Sequence, residues 1–228
     1  MNSIRPRLVL FDCDGTLVDS QHVIVTCMTS AFTEHGIEAP RREQILDIVG
    51  LSLPEAFERL LHGTGLRGVA ALAESYKAHF RQYRASGPVE PLYPGALDAV
   101  LTLAGRREVL LGVATGKSRR GVDAVLGHHD LLKHFVTIQT ADDAPSKPHP
   151  GMVIQAMSAT GVEPKDTVVV GDTTFDMAMA RSAGAGAIGV GWGYHPAASL
   201  PGAGAETVLV SFDELLPLLD RRWRETAA

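Results

Sequence analysis

The distribution of hydrophobic residues divides the chain into a helical stretch and a stretch in which strands and helices alternate. Near the amino terminus, residues 8–11 form an uninterrupted apolar run, as in a buried strand. Between residues 19 and 90, apolar positions recur at helical spacing and no segment has a convincing strand pattern. The helices predicted there cover residues 20–35, 41–49, 53–62 and 66–86.

From residue 95 onward, short apolar runs alternate with amphipathic segments. The predicted strands cover residues 109–114, 135–138, 167–170, 187–190 and 207–210. The predicted helices cover residues 95–104, 118–126, 150–160, 174–183 and 212–219. This alternation is typical of βαβ units and a mostly parallel sheet. We therefore predict an α/β core formed by residues 1–18 and 91–228, with an all-helical block at residues 19–90 inserted after the first strand.

Composition narrows the functional classes. The 228 residues are enough for one sizeable core with a modest insertion, and a net charge of −5 gives no basic footprint for nucleic acid. The uncharged stretch at residues 182–205 is interrupted by glycines and prolines, which argues against a membrane-spanning helix. The chain has two cysteines, Cys13 and Cys27, and its amino terminus lacks a signal-peptide pattern, so we expect both to be reduced thiols rather than a disulfide. We expect a soluble cytoplasmic protein that acts on neither nucleic acid nor membranes.

The first strand ends in two carboxylates separated by one residue, Asp12 and Asp14, and Gly15 and Thr16 then turn the chain. A strand that ends in this way brings both side chains to the carboxyl edge of a sheet, where open α/β folds bind ligands. Two anions this close repel each other unless a cation or a shared proton intervenes. On this segment alone, a common Asp-Gly turn and a metal or catalytic site are equally good interpretations.

The strand at residues 109–114 leads into Thr115, Gly116 and Lys117 at the start of a helix, which is a natural seat for a phosphate group. Only three residues separate Gly112 from Gly116, whereas a P-loop requires four, so we reject a nucleotide triphosphatase. A hydroxyl at this position fits a phosphoryl oxygen. The alternative is that Thr115 only caps the helix.

Lys147 stands in a proline-stiffened loop, with Ser146 before it and Pro148 after it. By itself it is read as a solvated lysine. The functional interpretation is a fixed ammonium group that screens a phosphate or a cluster of carboxylates.

A second strand, at residues 167–170, repeats the pattern of the first: Gly171 is followed by Asp172 at the strand tip, and Asp176 lies four residues on at a helix start. Asp176 could simply complement the helix dipole. A small set of oxygen ligands suits Mg²⁺, which binds through a few carboxylates together with a substrate phosphate.

Taken in order, these segments resemble the haloacid dehalogenase superfamily of phosphohydrolases. The resemblance covers essentially the whole chain, because the block at residues 19–90 stands where that superfamily carries a helical cap. Within the superfamily the chain is similar to the phosphoglycolate phosphatase-like branch. The segments that carry the superfamily resemblance are residues 12–16, 115–117, 147–148 and 171–176, and the resemblance to the branch rests on residues 11–20 and on the end of the chain, from 191–194 through 211–216.

The resemblance implies a catalytic scheme. Asp12 would attack phosphorus and become an aspartyl phosphate, and Asp14 would serve as general acid and then general base. Mg²⁺ would be held by Asp12, Asp172 and the backbone carbonyl of Asp14.

The remaining motif residues have supporting roles in this scheme. Thr115, Gly116 and Lys147 would hold the phosphoryl oxygens. Asp176 would position Lys147, the metal or its waters.

The resemblance also implies a small phosphorylated metabolite as partner, with 2-phosphoglycolate the first compound to test. The loop of Gly50, Leu51 and Ser52 is the candidate for reading the leaving group. A β-phosphoglucomutase-like phosphotransferase is the closest alternative, but such enzymes carry basic residues where this chain has Val49 and Leu53. A non-catalytic binding module on the same fold is a second alternative, which the presence of both motif aspartates disfavours.

Overall fold

The fold is built on a six-stranded sheet in the strand order β3-β2-β1-β4-β5-β6, and every neighbouring pair is parallel. The computed structural model describes residues 5–64 and 68–225. The strands are β1 Arg7–Phe11, β2 Val109–Ala114, β3 Phe135–Gln139, β4 Thr167–Gly171, β5 Gly186–Val190 and β6 Thr207–Leu209. Strand order reverses at β1, which lies between β2 and β4, and crevices at such switch points bind ligands.

Helices cover the sheet and fill the interval between β1 and β2. Four helices precede β2 in that interval: α1 Gln21–Glu34, α2 Arg42–Leu46, α3 Leu53–Leu61 and α4 Val69–Ser86. The others are α5 Ala96–Ala104, α6 Arg119–His128, α7 Gly151–Thr160, α8 Thr174–Ser182, α9 Leu200–Ala203 and α10 Leu215–Glu225. The predicted fold class, a parallel α/β sheet with an inserted helical cap, is confirmed. We call α1 to α4 the cap.

Several helix boundaries differ from the prediction. The helix predicted at 41–49 ends at Leu46, because the chain turns at residues 47–50 and Gly50 has a φ of 100°. The helix predicted at 66–86 begins at Val69, and residues 66 and 67 lie outside the described residues. The last helix was predicted at 212–219 but spans Leu215–Glu225, after a 3-10 turn at Phe212–Glu214. Its charged end shows no apolar periodicity.

Strand β1 is buried on both faces, as its uninterrupted apolar pattern predicts. Successive side chains of a strand point to opposite faces. Leu8 and Leu10 accordingly join one apolar cluster, and Val9 and Phe11 join another. Strand β1 is thereby fixed at the centre of the molecule, with its carboxyl end at the switch point.

The cap has an apolar cluster of its own. Phe57 stacks on Phe32 at a ring-centroid distance of 5.9 Å and meets the edge of Tyr76 at 6.4 Å. Phe175 of α8 joins this cluster from the core side. The division of the chain into core and cap at residues 18/19 and 90/91 stays a prediction.

The described residues include no helix that is both long enough and apolar enough to cross a membrane.

Candidate active site

Three buried carboxylates meet at the carboxyl ends of β1 and β4. Asp12 follows β1, Asp172 follows β4, and Asp176 lies in the first turn of α8. One oxygen from each side chain lies within 4.8 Å of the others, and all three side chains are buried. The parallel pairing of β1 with β4 brings these distant sequence positions together.

Lys147 is the cation of this cluster. Its Nζ lies 2.9 Å from Oδ1 of Asp12 and 2.6 Å from Oδ1 of Asp176, and its side chain is fully buried. The position of Lys147 therefore fits a fixed ammonium group that screens a cluster of carboxylates, and it does not fit a solvated loop lysine. Burial raises the pKa of Asp12 to about 6, although the neighbouring Lys147 charge lowers it.

The other two carboxylates are held by hydrogen bonds. Oδ1 of Asp172 accepts from Oγ1 of Thr16 at 2.8 Å, and Oδ2 accepts from the backbone N–H of Tyr194 at 2.9 Å. Oδ2 of Asp176 accepts from the backbone N–H of Thr173 at 3.0 Å, which closes a capping box at the start of α8. Asp176 therefore serves the helix start and the lysine together.

One oxygen of the cluster is left without a partner. Oδ2 of Asp12 is buried and accepts no hydrogen bond from any described residue. An unsatisfied buried acceptor of this kind is costly. Three carboxylates also carry more negative charge than Lys147 balances, and burial together with Asp176 and Asp12 raises the pKa of Asp172 well above its usual value. An all-oxygen donor set with excess negative charge fits a divalent cation such as Mg²⁺.

The turn after β1 requires glycine. Gly15 has a φ of 86°, and a Cβ atom there would lie 2.3 Å from Oδ2 of Asp172. Both the backbone conformation and the contact exclude a side chain, so the Asp-Gly turn is what allows Asp172 to approach β1.

The carboxylate of Asp14 faces away from the cluster. Oγ of Ser20 donates to its Oδ1, and Nζ of Lys117 lies 2.7 Å from Oδ1 and 3.0 Å from Oδ2. Asp12 and Asp14 are separated by a single residue but have different cationic partners: Lys147 contacts Asp12 and Lys117 contacts Asp14. The ion pair of Lys117 with Asp14 was not predicted, because the motif position of Lys117 indicated only the phosphate seat.

Thr115 lies between β2 and α6, and its Oγ1 accepts from the backbone N–H of Lys117 at 3.3 Å. It does not cap α6, because Ser118 occupies the cap position and its Oγ accepts from the N–H of Gly121. A Cβ atom at Gly116 would lie 2.4 Å from the carbonyl oxygen of Gly50. The absence of a side chain at Gly116 therefore allows the backbone of the cap at Gly50 to pack directly against the core.

The cap loop of Gly50, Leu51 and Ser52 lies over the phosphate seat. The N–H of Ser52 donates to Oγ of Ser146 at 2.8 Å, next to Lys147. Gly50 and Leu51 line a cavity of about 490 Å³ that extends from Asp12 and Asp14 into the cap. The candidate residues of the cap and of the core thus border one space.

His195 joins the core to the cap and was not predicted as functional. Its Nδ1 accepts from the N–H of Thr174 at 3.1 Å, so Nε2 carries the proton and donates to the carbonyl of Asp47 at 3.1 Å. It lies in an uncharged loop whose composition suggested no role, and only the fold brings it to Asp47.

Comparison with known proteins identifies the family. The sequence model described as "Haloacid dehalogenase-like hydrolase" matches residues 9–190, which include all of the candidate core residues. The chain belongs to the haloacid dehalogenase-like hydrolase family. The predicted resemblance to this superfamily and to its phosphoglycolate phosphatase-like branch is confirmed by the relatives of this haloacid dehalogenase-like enzyme.

Two relatives and one structure illustrate the match. The chain is 35% identical to "Probable phosphatase IndB" of Dickeya dadantii over 92% of its length and 91% of the relative's. It is 28% identical to "Phosphoglycolate phosphatase 1" of Pseudomonas aeruginosa, over 95% and 80% of the two chains. The crystal structure of a hydrolase from Pseudomonas syringae superposes with a TM-score of 0.83 at 25% identity, covering 94% and 98% of the chains.

The carboxylate cluster of this haloacid dehalogenase-like hydrolase predicts an unusual stability change. We expect Asp172→Asn to raise the Tm of the metal-free protein, because it removes one of three carboxylates that are buried close together. Two unit charges at this separation repel each other by about 3 kcal/mol at an effective dielectric constant of 20. One lost hydrogen bond offsets about 1 kcal/mol of this. A gain of 1 kcal/mol should raise Tm by about 2–4 °C.

Thermal unfolding in EDTA and in MgCl₂ tests this expectation. Because the pKa of Asp172 is raised in the folded protein, the wild type loses stability as pH rises above the ordinary pKa of an aspartate, about 4, and the gain of the variant should therefore disappear below that pH. Mg²⁺ should stabilise the wild type and the exposed control Asp123→Asn, but not Asp172→Asn. A variant that is less stable than wild type in EDTA and equally stabilised by Mg²⁺ would contradict the assignment.

Proposed function

We propose that the protein is a Mg²⁺-dependent phosphatase that hydrolyses a small phosphomonoester through an aspartyl phosphate on Asp12. The observation that carries this proposal is the different surroundings of two carboxylates on one strand end. Asp12 lies beside Lys147 and has one oxygen without a partner, whereas both oxygens of Asp14 contact Lys117 and one of them also accepts from Ser20. A nucleophile and a general acid–base need this separation of environments.

The reaction proceeds in two displacements. Oδ2 of Asp12 attacks phosphorus while the bond to the leaving oxygen breaks, and Asp14 gives its proton to that oxygen. Asp14 then takes a proton from water, whose oxygen attacks the same phosphorus. The bond between phosphorus and Asp12 breaks, and inorganic phosphate leaves with both carboxylates restored.

The other candidate residues hold the transferring group. The Thr115 hydroxyl, the Gly116 N–H and the Lys147 ammonium group would bind the phosphoryl oxygens as charge shifts onto them. Asp176 keeps Lys147 in place through its 2.6 Å contact.

The metal site of the proposal uses Asp12, Asp172 and the backbone carbonyl of Asp14. When bound, Mg²⁺ supplies positive charge that neutralises the phosphate and favours in-line attack. The surplus negative charge of the buried carboxylate cluster supports this assignment.

The names of the relatives suggest which small phosphorylated metabolite to test as the substrate. Because two curated relatives are named phosphoglycolate phosphatases, 2-phosphoglycolate is the first compound to test. We propose Gly50, Leu51 and Ser52 as the loop that reads the leaving group. A cytoplasmic location is supported by Cys13 and Cys27, which are buried free thiols.

A mutase is disfavoured by the two cavity positions at which such enzymes carry basic residues. Val49 and Leu53 both line the cavity and are apolar, so neither can bind a second phosphate. With β-glucose 1-phosphate as substrate we therefore expect glucose and phosphate rather than glucose 6-phosphate.

Phosphate release from a panel of phosphomonoesters, in MgCl₂ and in EDTA, tests the proposed function. The panel contains 2-phosphoglycolate, glucose 6-phosphate, β-glucose 1-phosphate and benzyl phosphate. We expect release that falls by about 100-fold or more in EDTA, because the metal contributes several kcal/mol to charge stabilisation. Equal rates in EDTA would contradict the metal assignment, and no release from any compound by the folded protein would contradict the phosphatase.

A further inference from the structure

The cavity over the phosphate seat is much larger than a two-carbon leaving group needs. Its volume is about 490 Å³, which is in the range of sites for drug-sized ligands. At about 30 Å³ for each water molecule, it corresponds to more than ten waters in the liquid. The glycolate part of 2-phosphoglycolate would fill only a small part of this space.

The wall beyond the phosphate seat is apolar and comes from the cap. Helix α1 contributes Ile24 and Met28, α3 contributes Leu53, and α4 contributes Tyr76 and Phe80. Burying sugar hydroxyls against such side chains without hydrogen-bond partners is costly. Burying an apolar body there is favourable by about 25 cal/mol per Å² of apolar surface. The wall thus favours a hydrocarbon or aromatic leaving group over a sugar.

The outer part of the same cavity is basic. Lys77, Arg81 and Arg84 project from one face of α4, and Arg120 faces them from α6. Arg84 is already paired with Glu90 at 2.8 Å, and Lys77 is paired with Glu74.

Two of these cations are uncommitted. Arg81 and Arg120 make no hydrogen bond or salt bridge with any residue that the structure describes. Apart from Asp12 and Asp14, the acid that lines the cavity is Asp142, and its Oδ2 already accepts from the N–H of Arg119 at 2.8 Å. The outer cavity therefore offers positive charge to a ligand.

We propose that the leaving group is an alcohol with an apolar body of at least benzene-ring size and a carboxylate at the end remote from the phosphate. The inference rests on the proposed function and deepens it. The body packs against Phe80, Tyr76 and Leu53, and the carboxylate lies between Arg81 and Arg120. The carboxylate of 2-phosphoglycolate shares the anionic character of this class but lacks the body that the wall fits.

Four primary-alcohol phosphates separate the two features without changing the type of leaving oxygen. They are 4-(phosphonooxymethyl)benzoate, benzyl phosphate, 2-phosphoglycolate and glucose 6-phosphate. We expect the kcat/KM of the benzoate compound to exceed those of 2-phosphoglycolate and glucose 6-phosphate by about tenfold or more, with benzyl phosphate between them. A kcat/KM for 2-phosphoglycolate or glucose 6-phosphate that equals or exceeds that of the benzoate compound would overturn the inference and leave the phosphatase intact.

Variants test separately the preference for a carboxylate and the preference for an apolar body in the leaving group. In Arg81→Gln combined with Arg120→Gln, the ratio of kcat/KM for the benzoate compound to that for benzyl phosphate should fall about tenfold. The matched control Arg107→Gln removes an exposed arginine outside the cavity and should leave that ratio at the wild-type value. An unchanged ratio in the double variant would overturn the anionic end of the proposal.

In Phe80→Ala, the ratio of kcat/KM for benzyl phosphate to that for 2-phosphoglycolate should fall by about tenfold. Leu53→Gln, at a half-buried position on the same wall, provides a second variant with the same expectation in case the loss of the aromatic ring unfolds the cap. Unchanged ratios in a folded variant would overturn the apolar wall as a specificity element. Absence of phosphate release from all four compounds by the wild type would overturn the proposed function itself, and the inference with it.

Discussion

Asp12→Asn is expected to lower kcat for phosphate release by at least about 10⁴-fold while the protein stays folded. An amide nitrogen or oxygen cannot serve as the nucleophile, so the first displacement has no acceptor for the phosphoryl group. The fold should survive because the amide oxygen can keep the contacts of Oδ1, to the N–H of Cys13 at 2.7 Å and to Lys147 at 2.9 Å. The amide nitrogen then takes the place of the free Oδ2.

Phosphate release and thermal unfolding, measured on the same preparations, check this result. Asp220→Asn is the matched control, because Asp220 forms an ion pair with Arg106 and does not line the cavity. The control should retain wild-type turnover. If folded Asp12→Asn turned over substrate at more than about one hundredth of the wild-type rate, Asp12 would not be the nucleophile.

Lys147→Met is expected to have the second-largest effect, on stability and on turnover together. The change leaves Asp12 and Asp176 buried with no cation between them, and breaking a buried ion pair costs about 3–5 kcal/mol. At about 2–4 °C per kcal/mol, the Tm should fall by about 6–20 °C. Turnover should fall by about 100-fold or more, because one of the groups that bind the phosphoryl oxygens is lost.

The pH dependence of this stability loss identifies its cause. Burial already raises the pKa of Asp12 to about 6, and Lys147 opposes that rise, so removing Lys147 must raise it further. A carboxyl group with a raised pKa binds more protons in the native state, and the protein then loses stability as pH increases through that range. The deficit of Lys147→Met should therefore be larger at pH 8 than at pH 5.

Lys165→Met serves as the control, since Lys165 forms an exposed pair with Glu163. An exposed pair of this type contributes about 0–1 kcal/mol, and its removal should change Tm little at either pH. A deficit of Lys147→Met that matched this control, or that was the same at pH 5 and pH 8, would mean that the lysine does not balance the buried carboxylates.

The core of the candidate site was predictable because it depends on strand ends. A strand in a parallel sheet delivers the residue after it to one edge, so Asp12, Thr115 and Asp172 could be placed together from apolar runs alone. Lys147 was harder, since a lysine in a loop is usually solvated, and only the resemblance to a known family favoured a fixed ammonium group over a solvated one. Its complete burial is a property of the tertiary fold.

The contacts between the cap and the core could not be predicted in the same way. His195 of the core reaches the carbonyl of Asp47 in the cap across a sequence separation that no periodicity encodes. The contact of Lys117 with Asp14 within the core was unpredictable for the same reason. The apolar positions of α1 and α4 predicted helices, but they did not indicate which of them face a cavity rather than the interior of the cap. The shift of the last helix has a local reason, because a 3-10 turn at Phe212–Glu214 takes the place of its expected first turn.

The separate apolar clusters of cap and core have a consequence for how enzymes of this architecture change their substrates. The proposed catalytic groups all come from the core, whereas the apolar part of the wall around the leaving group comes from cap helices with their own packed interior. Exchanging side chains on that wall leaves the spacing of the carboxylates untouched. Substrate preference can therefore diverge by repacking one segment of the chain, while the hydrolytic machinery is inherited unaltered.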